Sequence, residues 1–243
     1  SMAKYYATEL ANKAADFARE LGETLAATLP QAPSVDVQAV NGQNTFIVQP
    51  SNPDGTVARV PLLVNGAKLA ELSIVLYLDM DWTGTFLKNV RTDCAAYSVL
   101  DRQPLFRMDY RADMQSAPVA HWQFHAERGA LTHLLSMAQA HRPKAVESPH
   151  MLSRLHFPMG GERFRPCIED LIQFVIEECG VDAVPGWDRV VQAGRERWRR
   201  IQLRTVVRDL QLEAAETLVR EGWTVTPPSN KGLTESAATL SRW

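Results

Sequence analysis

The hydrophobic positions of the chain change period twice. Between residues 4 and 29, Tyr5, Tyr6, Leu10, Ala14, Phe17, Leu21 and Leu25 recur at helical steps, which predicts an amphipathic helix stopped near Pro30. From 35 to 127 the period is two, with β-branched and aromatic residues alternating with polar ones. Such strands lay one face on a core and turn the other away from it. The runs fall at 35–40, 45–49, 56–64, 69–78, 86–100 and 105–114, and Pro118 introduces a last one up to His125. Asn41-Gly42, Asn52-Pro53-Asp54-Gly55, Asn65-Gly66, Trp82-Thr83-Gly84 and residues 101–104 supply the turns between them. Seven successive strands with short links and no crossover helix predict an antiparallel meander and argue against a parallel doubly wound sheet.

After Gly129 the period is helical again. Leu131, Leu134, Leu135 and Ala138 predict a helix ending near His141-Arg142-Pro143, and a proline-bearing loop then reaches Gly160-Gly161. Pro166 stands where a first helical turn accepts it, before an apolar stripe of Ile168, Leu171, Ile172, Val175, Ile176 and Cys179 that ends at Gly180. Residues 187–223 read as one long helix or two, with Gly194 and Asp209 as candidate breaks. The expectation is an α+β fold: a long antiparallel meander of six or seven strands packed with an N-terminal helix and a C-terminal helical region. The division expected is 1–143 for the sheet domain with its two flanking helices, 144–226 for the helical region and 227–243 for an extended tail.

Composition narrows the function classes only by exclusion. The 243 residues are 45% hydrophobic and 22% charged, and the formal charge of -2 exerts no overall pull toward nucleic acid or an anionic membrane. Contact with a polyanion therefore requires a local patch. Ser1 before Met2 reads as a tag remnant, and Lys4, Glu9, Lys13, Asp16 and Arg19 interrupt every candidate signal sequence. No run is long and apolar enough to span a bilayer, so a cytoplasmic location without a membrane partner is expected. Cys94, Cys167 and Cys179 match neither a disulfide framework nor a CxxC site and are expected to be buried free thiols. Phosphate-loop, dinucleotide and Walker signatures are missing, and no cofactor is expected.

Candidate chemistry concentrates on two neighbouring strands. Arg107, Asp109 and Arg111 alternate with Phe106, Met108 and Tyr110, and His121, Gln123 and His125 alternate with Trp122 and Phe124. Histidines four positions apart on a strand lie about 13 Å apart, too far to share a metal ion, so no metal is expected. Asp109 can orient His121 or His125, while Arg107 and Arg111 can hold a phosphate or carboxylate. Arg91 and Asp93 extend the same polar face. The competing reading is a ladder of ion pairs on a solvated surface. Asp79, Asp81 and Asp109 offer a weaker alternative, a carboxylate set for a divalent cation.

The loop from Leu155 to Pro166 offers a second wall. His156, Gly160-Gly161, Arg163 and Arg165 precede a helix N-terminus, where backbone amides, the helix dipole and guanidinium groups together suit an anion. If the walls meet, His121, His125, His156 and Asp109 can carry out acid–base chemistry on a phosphoester held by Arg107, Arg111, Gln123, Arg163 and Arg165.

A third feature is the run Arg189, Arg195, Arg197, Arg199, Arg200, Arg204 and Arg208, of which Arg197, Arg200, Arg204 and Arg208 form a ridge on a helix. Such a ridge can meet RNA, DNA or an acidic protein, or form a charged outer face. The leading expectation is a non-catalytic binding or interaction protein using the sheet face and this helix, as in a bacterial regulatory or defence complex. Its partners would be another protein, a second copy of itself, or nucleic acid held by the basic patch. The alternative is a phosphoester or nucleic-acid-processing enzyme. A sheet-lined ligand-binding domain is a further option, to be marked by a deep apolar cavity between the sheet and the N-terminal helix.

Overall fold

A computed structural model describes residues 2–40, 44–81, 83–126, 129–144, 146–229 and 235–243, with the backbone alone for residues 2–6. The turn at Asn41-Gly42, Trp82 of the following turn and the side chains of Tyr5 and Tyr6 lie outside this description. Helix α1, Met2–Ala26, buries Leu10, Ala14, Ala18, Leu21 and Leu25 along one stripe, as the three- and four-residue spacing requires. Hydrogen bonds from Ala27 and Leu29 back to Glu23 and Leu25 finish it, and Gln31, at φ 60°, turns the chain away just after Pro30.

The fold is α+β, with an eight-stranded antiparallel sheet flanked by α1 and a C-terminal helical region. Its strands are β1 (Ser34–Ala39), β2 (Phe46–Ser51), β3 (Val60–Val64), β4 (Ala67–Met80), β5 (Leu87–Ser98), β6 (Pro104–Arg111), β7 (Ala120–Phe124) and β8 (Phe157–Pro158). From β4 to β7 each strand pairs with the next, as a meander does. The start differs. The 14 residues of β4 outreach either earlier strand, so its one edge takes β2 at Leu76–Leu78 and β3 at Ala67–Leu72. An isolated bridge between Ser51 and Val57 joins these two end-to-end partners. Asn65 and Gly66, at φ 50° and 77°, make the tight turn from β3 to β4. The eighth strand, two residues long, pairs His121 with Pro158 and Trp122 with Phe157.

One face of the sheet carries the core. Leu72, Ile74, Leu76 and Leu78 of β4, Cys94 and Ala96 of β5, and Phe106 and Met108 of β6 cluster with α1. Leu171, Ile172 and Val175 of α3 (Ile168–Glu177) and Val191 of α4 (Trp187–Asp209) complete the cluster. Helix α2, Gly129–His141, buries none of its residues. Pro166 sits before the cap of α3 rather than in its first turn. Cys167 is the N-cap, its backbone N–H donating to Asp170 at 3.0 Å.

Gly194 does not break α4. It is buried, and a Cβ there would stand 2.3 Å from the Glu169 carboxylate, so its bareness lets α3 approach. The break comes at Asp209, after which Leu210 alone separates α4 from α5 (Gln211–Arg220). The tail returns through α6 (Ala238–Ser241), where Ser236 N–H donates to Asp209 and the final carbonyl of Trp243 accepts from Val119 at 2.9 Å. All three cysteines are free, but Cys179 is exposed, because it lies beyond Val175, the last fully buried position of α3. Burial raises the thiol pKa of Cys94 and Cys167 far above its ordinary value.

Candidate functional site

Strand register sorts the candidate residues onto two faces. On the face away from the helices, Asp93 lies opposite Asp109, which lies opposite His121. Ala95, Arg107 and Gln123 form the next row, and Arg91 faces Arg111. The charges are consumed locally: within their strands Arg91 meets Asp93 at 2.6 Å and Arg107 meets Asp109 at 2.9 Å, and Arg111 at the end of β6 meets Asp113 of the following turn at 3.8 Å. Residues two apart on a strand share a face, so Arg91 and Arg107 each neutralise the carboxylate beside them. Arg91 also lies over the Tyr77 ring at 4.8 Å.

His121 is only 3% exposed, and its Nδ1 stands 2.7 Å from the Pro118 carbonyl oxygen. A carbonyl can only accept, so Nδ1 carries the proton and Asp109 keeps Arg107 as its bonded partner. The pairing of β8 brings His156 edge-on to His121, with ring centroids 4.6 Å apart. The Gln123 amide donates to His156 Nε2 at 2.7 Å and to the Ser153 carbonyl at 3.2 Å. His156 is thus an acceptor at Nε2. Burial first, then the neighbouring His121 and Arg154, depress its pKa against a smaller opposing pull from Asp109. His125 stands apart, paired through Nδ1 with the Gln103 amide at 2.9 Å. Burial and Arg107 lower its pKa as well.

Among the described residues no group of three histidine, cysteine or acidic side chains could hold a metal ion. Asp81, one of the carboxylates considered for such a site, organises its own turn by accepting from Thr83, Thr85 and Phe86.

Arg163 and Arg165 belong to the helix-covered side. Gly160 and Gly161, at φ 71° and 63°, adopt backbone that side chains resist, and a Cβ on each would meet the Phe164 or Arg242 carbonyl oxygen at 2.5 or 2.9 Å. Gly160 therefore lets the loop fold tightly onto Phe164, and Gly161 seats Arg242 near the end of the chain. Buried Glu162 gathers Lys88, Arg163 and Arg242 within 3.9 Å, and Arg163 also binds Asp209 at 2.7 Å. Arg165 is 8% exposed and lies over the Tyr110 ring at 3.8 Å, with Trp198 at 5.6 Å. It donates to the Glu162 carbonyl, and burial lowers its pKa.

Beside Arg165 a cavity of about 520 Å³ opens between the sheet, α1 and α4. Leu76, Leu78, Thr92 and Met108 come from the sheet, Phe17 and Leu21 from α1, and Trp198 and Ile201 from α4. Arg197, Arg204 and Arg208 of the predicted ridge also line it, whereas Arg200 pairs with Glu196 at 2.8 Å. Arg208 lies over the Phe86 ring at 4.0 Å. Among the described residues neither Arg197 nor Arg204 has a carboxylate within ion-pair distance. Gln202, another lining residue, has its buried Oε1 without a hydrogen-bond partner among the described residues.

The structure thus brings together His121, His156, Gln123 and Asp109 on one face. It leaves His125 farther along β7 and places Arg163, Arg165 and most of the arginine ridge around the cleft between the sheet, α1 and α4, whose lining Asp109 and His121 also reach. Phe17, Met108, Trp198 and Gln202 were missed as site residues, because in sequence each is an ordinary member of a helical or strand pattern. No protein family, characterised protein or solved structure matches the chain, so the geometry alone carries the functional reading. No helix among the described residues is long and apolar enough to cross a membrane.

Proposed function

We propose that the protein is a non-catalytic binding protein whose ligand enters the cleft between the sheet, α1 and α4, and that this ligand combines an elongated apolar body with an anionic group. The observation that carries this reading is Arg165. It is a buried cation in the wall of a largely apolar cleft, it bonds a backbone carbonyl, and no carboxylate among the described residues lies within ion-pair distance. A buried guanidinium is costly to desolvate, and a ligand anion offers it a bidentate, charge-assisted partner. Arg197 and Arg204, exposed on α4, would attract the same anion as it enters. The cavity volume falls within the range of roughly 300–1,000 Å³ usual for small-molecule sites.

The sulfonated dye 8-anilinonaphthalene-1-sulfonate has this chemistry and serves as the probe. Titration should show one saturable site, with the uncharged analogue N-phenyl-1-naphthylamine binding about tenfold more weakly, the value of one lost charge contact. Met108→Trp should fill the cleft and abolish binding, and Arg197→Glu with Arg204→Glu should weaken it. Equal affinity for the two dyes would remove the anionic assignment. Binding untouched by Met108→Trp would remove the cleft.

A further inference from the structure

One edge of the sheet is open among the described residues. Strand β1 takes β2 on one side only, and its register runs unbroken from Ser34 opposite Ser51 to Ala39 opposite Phe46. The bond from the Val40 N–H to the Thr45 carbonyl sets the phase of this ladder, so that Ser34, Asp36 and Gln38 bond to β2. The N–H and C=O groups of Val35, Val37 and Ala39 therefore point outward. Pro50, opposite Val35, agrees with this phase, because it has no N–H to give and its carbonyl accepts from Ala58 on the far side. No backbone group among the described residues bonds to the outward set. Other edges are occupied: Asp182 donates to the Leu63 carbonyl of β3, β8 pairs with β7, and the Trp243 carbonyl takes the Val119 N–H. Strand β1 also lacks the lysine, proline or bulge that ordinarily blunts an open edge.

Helix α1 leaves room beside this edge. It packs over β1 and β2, and a Cβ on Gly22 would stand 3.6 Å from the Val35 side chain. At about 100° per residue, Ala7, Ala11, Ala15, Ala18 and Ala26 share the flank of Gly22. Lys13, Phe17 and Thr24, which line the cleft, lie toward the opposite flank. A flank without long side chains admits a second helix at about 8 Å, the short end of helix-packing distances.

We infer that the protein is a homodimer in which β1 of one copy pairs antiparallel with β1 of the other, continuing the sheet across a two-fold axis at Val37. In this register Val35 faces Ala39 of the second copy and Val37 faces its own counterpart, so every outward N–H meets a carbonyl. Asp36, the one charged residue of β1, faces Gln38 of the second copy, whose amide can donate to it. The two carboxylates stay off the axis and do not oppose each other. This self-complementarity selects a second copy over an unrelated strand, since the same six residues read in reverse satisfy both backbone and side chains. The inference stands apart from the ligand reading, because no residue of β1 lines the cleft.

Sedimentation of the full chain at micromolar concentration should give twice the 27.2 kDa chain mass. Val37→Pro removes the hydrogen bonds at the axis and spares the β1–β2 ladder, because the lost N–H points outward. It should weaken dimerisation about thirtyfold, the value of two hydrogen bonds. Ala15→Glu, at an exposed position of α1, should also weaken it while the circular dichroism of the parent is kept. In a Cys179→Ser background, Val37→Cys should cross-link the copies on oxidation, since facing residues of a hydrogen-bonded pair stand about 5.5 Å apart at Cα, within disulfide reach. Ala39→Cys, which faces Val35, should not. A monomeric parent would overturn the inference and leave the edge to an extended segment of another protein. A dimer indifferent to both Val37→Pro and Ala15→Glu, or one that cross-links as readily through Ala39→Cys, would overturn it too.

Discussion

Ile74 and Val75 are neighbours on β4, yet Ile74 is 1% exposed in the helix-covered core while Val75 is half-buried, paired in register with Asp93. The same alternation runs through β6, while β5 buries Cys94, Ala95 and Ala96 in succession and β7 buries both Ala120 and His121. On the outer face ionisable groups are dense, and they satisfy one another through arginine–aspartate pairs and the His121–Gln123–His156 cluster. On the inner face the buried core is apolar, but α1 and α4 leave a cavity between them, with Arg165 in its wall and Arg197, Arg204 and Arg208 also in its lining. The density of chemically capable residues therefore marks the self-satisfied surface. The candidate site lies where Arg165, a buried cation with no carboxylate within ion-pair distance among the described residues, sits in the cleft wall.

The sharpest way to break this contrast is truncation on either side of β4. Ile74→Ala should cost about 2–4 kcal/mol, as deletion in a packed core does, and Val75→Ala less than about 1 kcal/mol. Urea unfolding of both variants measures the difference. Equal costs would mean that the outer face is packed as tightly as the inner.

A smaller effect tests whether the outer charges are structural pairs. Arg107→Ala should destabilise by about 1 kcal/mol, because it strands the partly buried Asp109. Adding Asp109→Leu should recover part of that loss, since removing both partners leaves no unmatched charge. Additive losses in the double-mutant cycle would contradict the pairing.

The smallest effect is on pH dependence. His156 and His125 are held below the ordinary histidine value of 6.5, in both cases chiefly by burial. The unfolded chain therefore takes up protons that the folded one resists. Their contribution to stability is present above pH 6.5 and is lost as the pH falls through the folded values. The Tm should drop between about pH 7.5 and about pH 5.5, and His156→Gln should reduce the drop. An unchanged pH profile in that variant would show that the outer cluster does not discriminate between the protonation states of His156.

Much of the fold is legible in the amino-acid order because it rests on local periodicity. The alternation over 69–78 and 105–114 anticipates β4 and β6, Asn65-Gly66 anticipates their tight-turn neighbour, and the Ile168 to Ile176 stripe anticipates α3. Strand β8 is not legible, since two residues have no period and Phe157–Pro158 acquires its role only from the open edge of β7. Gly194 resembles a helix breaker until Glu169 of α3 is seen packed against it.

The candidate site divides along the same line. Period two alone places Arg107, Asp109, Gln123 and His121 on one face, and that placement holds in the register. Whether the 155–166 loop closes over them depends on which side of the sheet each part of it reaches. The β8 pairing sends His156 outward, while Glu162, Asp209 and the returning C-terminus hold Arg163 inward, with Arg165 beside the Tyr110 ring. Side-chain alternation and helical spacing are properties of neighbouring residues, so the sequence by itself determined the elements and the faces they present. Cavities, ion-pair partners and the meeting of distant segments depend on how much volume the packed helices leave, and only the tertiary structure decided those.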